Sequence, residues 1–408
     1  MRKKMKILHI QQYYNDGMGY QENILPYYHA SLGHEVLLIT SKYNNGFNKG
    51  KRKGQIGVYS DRNFKVKRIE TYGEFKNRFV LFKNLYKEIK EFNPDYIFHH
   101  SVTAPSLITV AKYKKENKNI FLVADNHADW VISGTNKLWK IFYYNIVWKN
   151  ILKKIQNQID IFFGVTPGRC MFLSSELGIN GQHVKLLPIG ADTELCNQIS
   201  DKRDVLSKFN LNPDNILIVH GGKITPEKKV DKIIEAFMLI KNEKINLVLF
   251  GDIKDENVKN LIKQDDRIIY LGWLNRNDTL RILKNSDIGI WNTQHTTLME
   301  DAIAVGLPII IMYYGATSHL IDNNGFYLYE GSVKEIYDKL SFVTSNKEII
   351  SEMKNNSNQM MNILSYKNIA NESLAYIENR EYESIYSKFL TIPYTDYNFK
   401  FFKYLKQK

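Results

Sequence analysis

The chain has 408 residues, of which 44% are hydrophobic and only two, Cys170 and Cys196, are cysteines. The length suffices for two or three domains, and two cysteines are too few for a disulfide scaffold or a cysteine-rich metal site. No apolar run approaches the roughly eighteen residues of a membrane span, and the basic start is too short for a secretion signal, so we expect a cytoplasmic protein.

The positive charge is concentrated in the first half of the chain. Residues 1–195 hold 29 Lys and Arg against 16 Asp and Glu, whereas residues 196–408 hold 27 of each. This asymmetry predicts that the first half meets an anionic partner, either a membrane surface or a polyanion. A basic surface that only aids solubility is the plainer alternative.

Continuous apolar runs predict strands separated by helical stretches. Such runs, without alternation, are typical of parallel strands that are covered on both faces. The predicted strands are 6–10, 34–40, 96–100, 120–126, 161–166, 184–190, 216–222, 245–252, 268–273, 288–292 and 308–314. Their alternation with helices predicts an α/β fold with doubly wound parallel sheets.

The alternation breaks in the polar stretch 191–215, which indicates a link between two Rossmann-like domains. We predict one domain over 1–193, a second over 194–375, and a C-terminal helix with a basic-aromatic tail over 376–408. We expect the last segment to pack back on the first domain. Two such domains facing each other would form a ligand-binding cleft between the carboxyl ends of their sheets.

The loop after the first strand contains Gly17 and Gly19, which would let the backbone turn tightly and approach a ligand. The following helix N-terminus favours an anion. A dinucleotide fingerprint needs a third glycine where this chain has Glu22. A plain turn is therefore as good an interpretation as a phosphate cradle.

The second domain opens with Gly222, Lys223 and Lys228 after its first strand. Cations near a helix start oppose the helix dipole, and an anionic ligand would explain them. Two lysines at this spacing could hold a diphosphate from two sides, each as a point charge. A solvated run of charge is the alternative.

His127 ends the strand that contains Asp125, in the segment VADNHADW. A histidine at the carboxyl end of a strand can donate to a developing charge or act as a general acid or base. A structural histidine is the plainer interpretation. No second histidine lies at ligand spacing, so we expect no metal site.

Glu300 and Asp301 follow the predicted strand 288–292, just inside an apparent helix start. Thr297 and Glu300 fit a capping box, which would make Glu300 structural. Asp301 lies about 100° further round the helix and would be free to bind ligand hydroxyls, as carboxylates bind ribose.

Five segments in this order resemble retaining glycosyltransferases of family four, which have the GT-B fold, and the resemblance spans most of the chain. The segments are MGYQENILPYYHASLGHEVLLIT, NHADW, VKLLPIGAD, GGKITPEKKVDKIIEAF and DAIAVGLPIII. The resemblance implies that Gly19 lines the phosphate side of the first domain and that His127 contacts the donor sugar near the reacting carbon. Lys223 and Lys228 would bind the donor diphosphate, and Asp301 would stand where the family has a ribose-binding glutamate.

Three residues depart from the family pattern. Lys223 replaces an arginine, so bidentate phosphate binding is lost while the charge remains. Asp301 replaces a glutamate, and Thr293 replaces the family's first glutamate, which meets donor-sugar hydroxyls. Replacement contacts could come from Gln294, His295 and the amides of Thr296, Thr297 and Leu298. An alternative register makes Glu300 the ribose ligand.

The resemblance implies transfer of a sugar from a nucleotide-diphosphate-sugar to a glycan hydroxyl, with retention of configuration and without a metal or bound cofactor. It looks most like enzymes of bacterial capsule, O-antigen or other surface-polysaccharide synthesis. A sugar-nucleotide epimerase of similar build is the main alternative. A nucleic-acid-binding protein is a weaker one, because no recognition motif supports it.

The acceptor should meet the basic first domain. Residues 41–55 form a basic loop, and residues 138–155 mix aromatic residues and lysines at helical spacing. This composition is typical of an interfacial helix on anionic lipid, although a partly buried amphipathic helix fits equally well. We expect peripheral attachment to the inner face of the cytoplasmic membrane and a lipid-diphosphate-linked acceptor.

Overall fold

The computed structural model describes residues 4–44, 53–75, 78–130, 137–200 and 203–390. The chain forms two compact units. The first contains the described residues up to Pro188 and from Tyr366 onward, and the second contains those from Ile189 to Ser365. The returning segment thus starts at Tyr366, ahead of the predicted position 376, and the predicted tail beyond Leu390 lies outside the described residues.

Each unit is built around one main parallel sheet. The strands are β1 (Lys6–Gln11), β2 (Glu35–Ser41), β3 (Gly57–Asp61), β4 (Phe64–Ile69), β5 (Thr71–Phe75), β6 (Phe79–Phe82), β7 (Tyr96–His99), β8 (Phe121–Asn126), β9 (Ile161–Gly164), β10 (Val184–Leu186), β11 (Ile216–Gly221), β12 (Ile245–Phe250), β13 (Ile268–Tyr270), β14 (Ile288–Trp291), β15 (Ile309–Met312) and β16 (Gly325–Leu328).

Helices connect most of the parallel strands. They are α1 (Gln21–Ser31), α2 (Leu85–Phe92), α3 (Ser106–Glu116), α4 (Lys137–Trp139), α5 (Lys149–Ile155), α6 (Pro167–Ser175), α7 (Thr193–Asn197), α8 (Val230–Met238), α9 (Glu256–Leu261), α10 (Arg276–Lys284), α11 (Thr297–Ala304), α12 (Val333–Thr344), α13 (Lys347–Ile363) and α14 (Tyr366–Glu378). A π-helical segment, Lys140–Trp148, joins α4 to α5.

The first sheet has the strand order β10-β9-β8-β7-β1-β2-β4-β3, and the second has the order β13-β12-β11-β14-β15-β16. The neighbours are parallel except for β3, which runs antiparallel to β4. Strands β5 and β6 form a separate antiparallel hairpin. The predicted α/β class with two Rossmann-like domains is confirmed.

Burial explains why the continuous apolar runs became central strands. All six residues of β12 are buried, as expected for a strand covered on both faces. Helix α8 then covers this sheet with Ile233, Ile234 and Phe237, while Lys232 and Glu235 pair on its outer side. The alternation of one apolar face with one charged face fixes which side of the helix packs.

The C-terminal helix α14 belongs to the first unit, where it packs on α1. The Tyr28 and Tyr366 rings stack with centroids 6.3 Å apart. The hydroxyl of Tyr96 on β7 donates to the Ser373 carbonyl at 3.0 Å. These contacts hold α14 against the centre of the first sheet.

Candidate active site

In each main sheet the strand order reverses direction at one place. This switch point falls between β1 and β7 in the first unit and between β11 and β14 in the second. Open α/β sheets bind ligands outside the carboxyl ends of the strands at such points. Functional groups are therefore expected on the loops that follow these four strands.

In the second unit, the loops after β11 and β14 meet at Gly222. Gly222 has φ +119°, and a Cβ placed on it would lie 3.4 Å from Cδ1 of Leu298. The residue after β12 packs even more closely, because a Cβ on Gly251 would lie 1.9 Å from the Gly222 carbonyl oxygen. The amides of Gly222 and Gly251 donate to the carbonyls of Phe250 and Gly272, at 3.1 and 2.7 Å, so the glycines serve close packing of these loops. The structure thus brings two predicted ligand-binding residues, Gly222 and Leu298, side by side.

Lys223 and Lys228 lie on the loop between β11 and α8, where Pro226–Lys228 forms a single 3-10 turn. Lys223 is exposed and Lys228 is half-buried. Neither ammonium group lies within 4.0 Å of a carboxylate of any described residue. Burial lowers the pKa of Lys228, and the neighbouring charge of Glu227 opposes this shift. A partly desolvated ammonium group without a salt bridge favours an anionic ligand.

The loop between β14 and α11 carries the other predicted residues of this site. Thr293 is buried, His295 and Thr296 are half-buried, and Thr297 is exposed. Helix α11 begins at Thr297, and its N-cap, Thr296, makes no side-chain capping hydrogen bond. The predicted capping box of Thr297 and Glu300 is therefore wrong. Thr297 already lies inside the helix, and the Glu300 carboxylate turns to another partner.

That partner is His295, whose Nε2 lies 2.5 Å from Oε1 of Glu300. Glu300 is only 1% exposed. Its second oxygen, Oε2, has no hydrogen-bond partner within the described part of the chain. An unsatisfied buried acceptor costs about 1–3 kcal/mol, and more when it is charged. The oxygen is also shielded from solvent, so a ligand donor would reach it only if the loop between β14 and α11 moved.

Asp301 is buried as well. The sequence suggested that its carboxylate is free to bind a ligand, but in the structure it is already paired. Both of its oxygens accept from the Arg276 guanidinium, Oδ1 from Nη2 at 2.6 Å and Oδ2 from Nη1. Burial raises the pKa of Asp301, and the hydrogen bonds and charge of Arg276 oppose that shift. A bidentate pair of this kind is among the strongest charged hydrogen bonds. Asp301 can meet a ligand only in competition with Arg276 or alongside it.

Arg276 was not identified from the sequence. It is the first residue of α10, directly after the N-cap Asn275. A cation in the first turn of a helix opposes the helix dipole, which is the same signal that pointed to Lys223 and Lys228. That signal, applied here, would have indicated an anionic partner for Arg276.

In the first unit, the loop after β1 leads into α1. Gly17 has φ +73°, and a Cβ on Gly17 or Gly19 would meet no atom within 4 Å. The space beside both glycines is therefore open, next to a helix start at Gln21. The left-handed conformation of Gly17 also fits a plain turn, so both sequence interpretations stand.

His127 follows β8, with its side chain 42% exposed and Nε2 3.2 Å from Oδ2 of buried Asp125. The same oxygen lies 3.3 Å from Nδ1 of His100. Oδ1 accepts from the Ser101 amide at 2.7 Å, and Ser101 has φ +84°, a strained conformation for serine. Burial alone would raise the pKa of Asp125, but His127 and His100 hold it well below its ordinary range. Asp125 is therefore an anion that anchors His127.

Other reactive groups in the described residues give no further centre. No three His, Cys, Asp or Glu side chains are arranged there to hold a metal ion. Cys170 and Cys196 are both buried, and burial raises the pKa of each thiol to about 12. A thiol at this pKa is not a ready nucleophile.

The stretch 138–155 forms one helical segment in the first unit, continuous through its π-helical part. Its inner side is buried through Tyr144, Trp148 and Leu152. Its outer side exposes three apolar residues spaced four apart, with exposed fractions of 81%, 57% and 51% for Leu138, Phe142 and Ile146. Residues 45–52 of the predicted basic loop lie outside the described residues. None of the described helices is both long and apolar enough to cross a membrane.

Two protein-family models match the chain in succession. Residues 25–195 match the model described as glycosyltransferase family 4. Residues 201–360 match the model described as glycosyl transferases group 1. The first match lies in the first unit except for its last residues, 189–195, which belong to the second unit. The second match lies within the second unit.

Solved structures share the fold over nearly the whole chain. A glycosyltransferase from Rickettsia africae matches 96% of this chain and 100% of its own, with a TM-score of 0.67 and 16% identity. HepE from Anabaena, solved with UDP, matches 92% and 100%, with a TM-score of 0.66 and 14% identity.

By sequence, mannosylfructose-phosphate synthase from Agrobacterium fabrum is 19% identical over 190 residues. That alignment covers 41% of this chain and 42% of the relative, so less than half of the relative's length is matched.

Proposed function

We propose that this chain transfers a sugar from a nucleotide-diphosphate-sugar to an acceptor hydroxyl with retention of configuration. Its family matches indicate a group 1 glycosyltransferase with the GT-B fold. Lys228 carries the proposal. It is half-buried and has no salt bridge to a described residue. The leaving diphosphate gains negative charge as the glycosidic bond breaks, and a cation fixed in advance stabilises that charge.

Each step of the reaction has a candidate group. The bond from the anomeric carbon to the donor phosphate oxygen breaks, and a bond to the acceptor oxygen forms. The acceptor proton passes to the leaving diphosphate. Lys223 and Lys228, on the loop that begins at Gly222, would bind that diphosphate without a metal. His127 would contact the donor sugar near the reacting carbon, and the Gly17–Gly19 loop would lie on its phosphate side.

The donor sugar and ribose would meet the loop between β14 and α11. We propose that Thr293 and His295, with the amides of Thr296–Leu298, supply the sugar contacts that the family's first glutamate normally makes. The unpaired Oε2 of Glu300 supports the second register, in which Glu300 rather than Asp301 accepts from ribose hydroxyls. Asp301 would then only hold the Arg276 guanidinium in place and would not touch the ribose.

Nucleotide binding tests the function. HepE, which shares the fold, was solved with UDP, so UDP is the first nucleotide to compare with GDP, ADP and CMP. We expect one diphosphate to raise the melting temperature, since a ligand at a hundred times its Kd adds about 2.7 kcal/mol. CMP should act weakly because it has one phosphate. No shift with any nucleotide would contradict the proposal, and donor consumption with epimerisation would favour the epimerase.

Paired substitutions distinguish the two registers. We expect Glu300→Gln to weaken binding of the active nucleotide about tenfold, the equivalent of about 1.4 kcal/mol, because an amide replaces the free carboxylate oxygen. Asp301→Asn should have a smaller effect on affinity. Calorimetric titration of both variants measures the difference. A larger loss in Asp301→Asn would restore the first register.

We further propose a lipid-diphosphate-linked glycan acceptor, used in bacterial capsule, O-antigen or other surface-polysaccharide synthesis at the inner face of the cytoplasmic membrane. The apolar outer side of 138–155 supports this proposal, because a partly inserted helix presents such a face to lipid. The positive charge of the first half would add attraction to anionic headgroups.

Vesicle pelleting tests the membrane proposal. We expect the protein to pellet with anionic vesicles at low salt and less at high salt. Replacing both Leu138 and Phe142 with Glu should lower the bound fraction at least tenfold, since each buried apolar side chain contributes about 1.5–3 kcal/mol. The matched control replaces Leu239 and Phe342, which are similarly exposed on the second unit, at 51% and 48%. Failure of the wild type to pellet at low salt would refute the proposal.

A further inference from the structure

A chain of buried histidines runs from His100, beside Asp125, to the C-terminal helix α14. Nε2 of His100 lies 3.1 Å from Nδ1 of His9, and Nε2 of His9 lies 2.9 Å from Nδ1 of His29. Nε2 of His29 lies 2.9 Å from the hydroxyl of Ser373. All four side chains are at most 2% exposed. We call His100, His9, His29 and Ser373 the relay.

The relay can have only one direction at a time. A neutral imidazole carries one proton, so it donates through one nitrogen and accepts through the other. With the protons on Nδ1, His29 donates to His9, His9 to His100, and His100 to Asp125. With the protons on Nε2, every bond reverses, and His100 turns an unprotonated nitrogen toward the Asp125 carboxylate. The contact between the bare Nδ1 of His100 and the Asp125 carboxylate is repulsive unless one of the two groups takes up an extra proton.

The Asp125 carboxylate sets the direction, because as an anion it can only accept from Nδ1 of His100. The hydroxyl of Ser373 then has to donate to His29 at the far end. Its oxygen lies 2.9 Å from Nε2 of His29 and is also placed to donate to the Ala370 carbonyl at 2.8 Å. The single hydroxyl proton can serve only one of these acceptors, so donation to His29 replaces the bond to Ala370. When the hydroxyl donates to His29, Nε2 must accept and the ring proton must sit on Nδ1. The same direction then continues through His9 and His100 to Asp125.

We propose that His100, His9, His29 and Ser373 are positioning residues that keep a proton directed at Asp125, so that Asp125 remains an anion and His127 keeps its Nε2 proton on it. His127 then presents Nδ1 to the ligand in one fixed tautomer. The consequence for catalysis rests on the proposed function, whereas the tautomer states do not.

The surroundings keep the rings of His9 and His29 neutral, as the relay requires. Burial lowers the pKa of His9 well below its usual value and lowers that of His29 to about 3. The other titratable groups that act on the relay are Glu22, His34 and His99. A neutral ring cannot donate at both nitrogens, so the direction has to be uniform.

Removing the Ser373 hydroxyl should reverse the relay. The nearby Ala370 carbonyl, which interacts with His29, can only accept a hydrogen bond. In Ser373→Ala, His29 therefore moves its proton to Nε2, and His9 and His100 follow. Asp125 loses one donor and takes up a proton to face the bare Nδ1 of His100, although Ser373 does not touch Asp125 or His127.

Nitrogen NMR of protein labelled selectively at its ten histidines tests this inference, because protonated and bare ring nitrogens have distinct shifts. Single substitutions assign the signals. At neutral pH we expect Nδ1–H rings at His9, His29 and His100, and an Nε2–H ring at His127. In Ser373→Ala the three relay rings should change to Nε2–H together, while Ser373→Thr should keep the wild-type pattern.

The control is Ser357→Ala, a fully buried helix serine of the second unit whose hydroxyl has no partner in the described region. It should leave all histidine signals unchanged. Nε2–H rings at His9 and His29 in the wild type would overturn the inference even if Ser373→Ala failed to fold. Unchanged tautomers in a folded Ser373→Ala would also overturn it. The spectra need no donor, so their outcome is separate from the nucleotide shifts that test the transferase.

Discussion

We expect Lys228→Ala to lower turnover about 10²–10³-fold, the loss typical of removing one fixed group that stabilises developing charge. Lys228 is half-buried on the loop after β11, and no carboxylate of a described residue lies within 4.0 Å of it. Its removal therefore takes away a cation that protein contacts have not already neutralised. Steady-state rates of sugar transfer, at saturating donor, measure the effect.

Two matched variants separate the loss of this cation from the general effect of replacing a lysine. Lys228→Arg keeps the charge and should retain more activity than Lys228→Ala. Lys232→Ala removes an exposed lysine of α8 that pairs with Glu235, and it should leave turnover within a factor of two. Turnover of Lys228→Ala close to wild type would remove the diphosphate role from this residue. An unchanged melting temperature in each variant would exclude unfolding as the cause.

We expect Asp125→Asn to lower the free energy of unfolding by about 3–5 kcal/mol, the range found when one member of a buried charged pair is removed. Asp125 is fully buried and accepts from the Ser101 amide while holding His100 and His127. The NH₂ group of an asparagine would face at least one of the N–H donors that now bind the carboxylate, and two donors repel each other. Urea unfolding at pH 7 measures the loss.

The pH dependence has a defined sign. The folded pKa of Asp125 lies below its ordinary value near 4, so its stabilising charge is fully present above about pH 4. That stability is lost as the pH falls below this value toward the folded pKa. Asp125→Asn should therefore show a weaker pH dependence than the wild type below about pH 4. The Asp214→Asn control changes an exposed carboxylate and should match the stability of the wild type at pH 7 and below pH 4. Equal losses of stability in the two variants would contradict the assignment.

Sequence periodicity determined the central strands and the two-domain α/β fold. The runs that became β1, β7, β8, β11 and β12 are mostly apolar and do not alternate, because both of their faces are covered. Strands β3 to β6 were missed for the converse reason. They lie in the last two strands at one end of the first sheet or in a separate hairpin, where polar residues interrupt the apolar pattern, as in FKVKRI of β4.

The sequence also placed Gly222, Lys223, Lys228 and His127 on loops at the carboxyl ends of strands. This was possible because such positions follow directly from where each apolar run stops. It did not determine the partners of these residues. Glu300 was assigned to a cap on local spacing, yet the helix starts at Thr297 and the carboxylate pairs with His295.

Only the tertiary structure brought together groups that are far apart in the chain. Arg276 reaches Asp301 because α10 and α11 pack together. His9, His29, His100 and Ser373 meet because α1 packs on β1 and α14, and β1 pairs with β7, which ends directly before His100. A buried polar group needs a partner wherever the fold supplies one. The pattern of apolar residues specifies the fold, but the pairing of its buried polar groups is decided only when the elements pack.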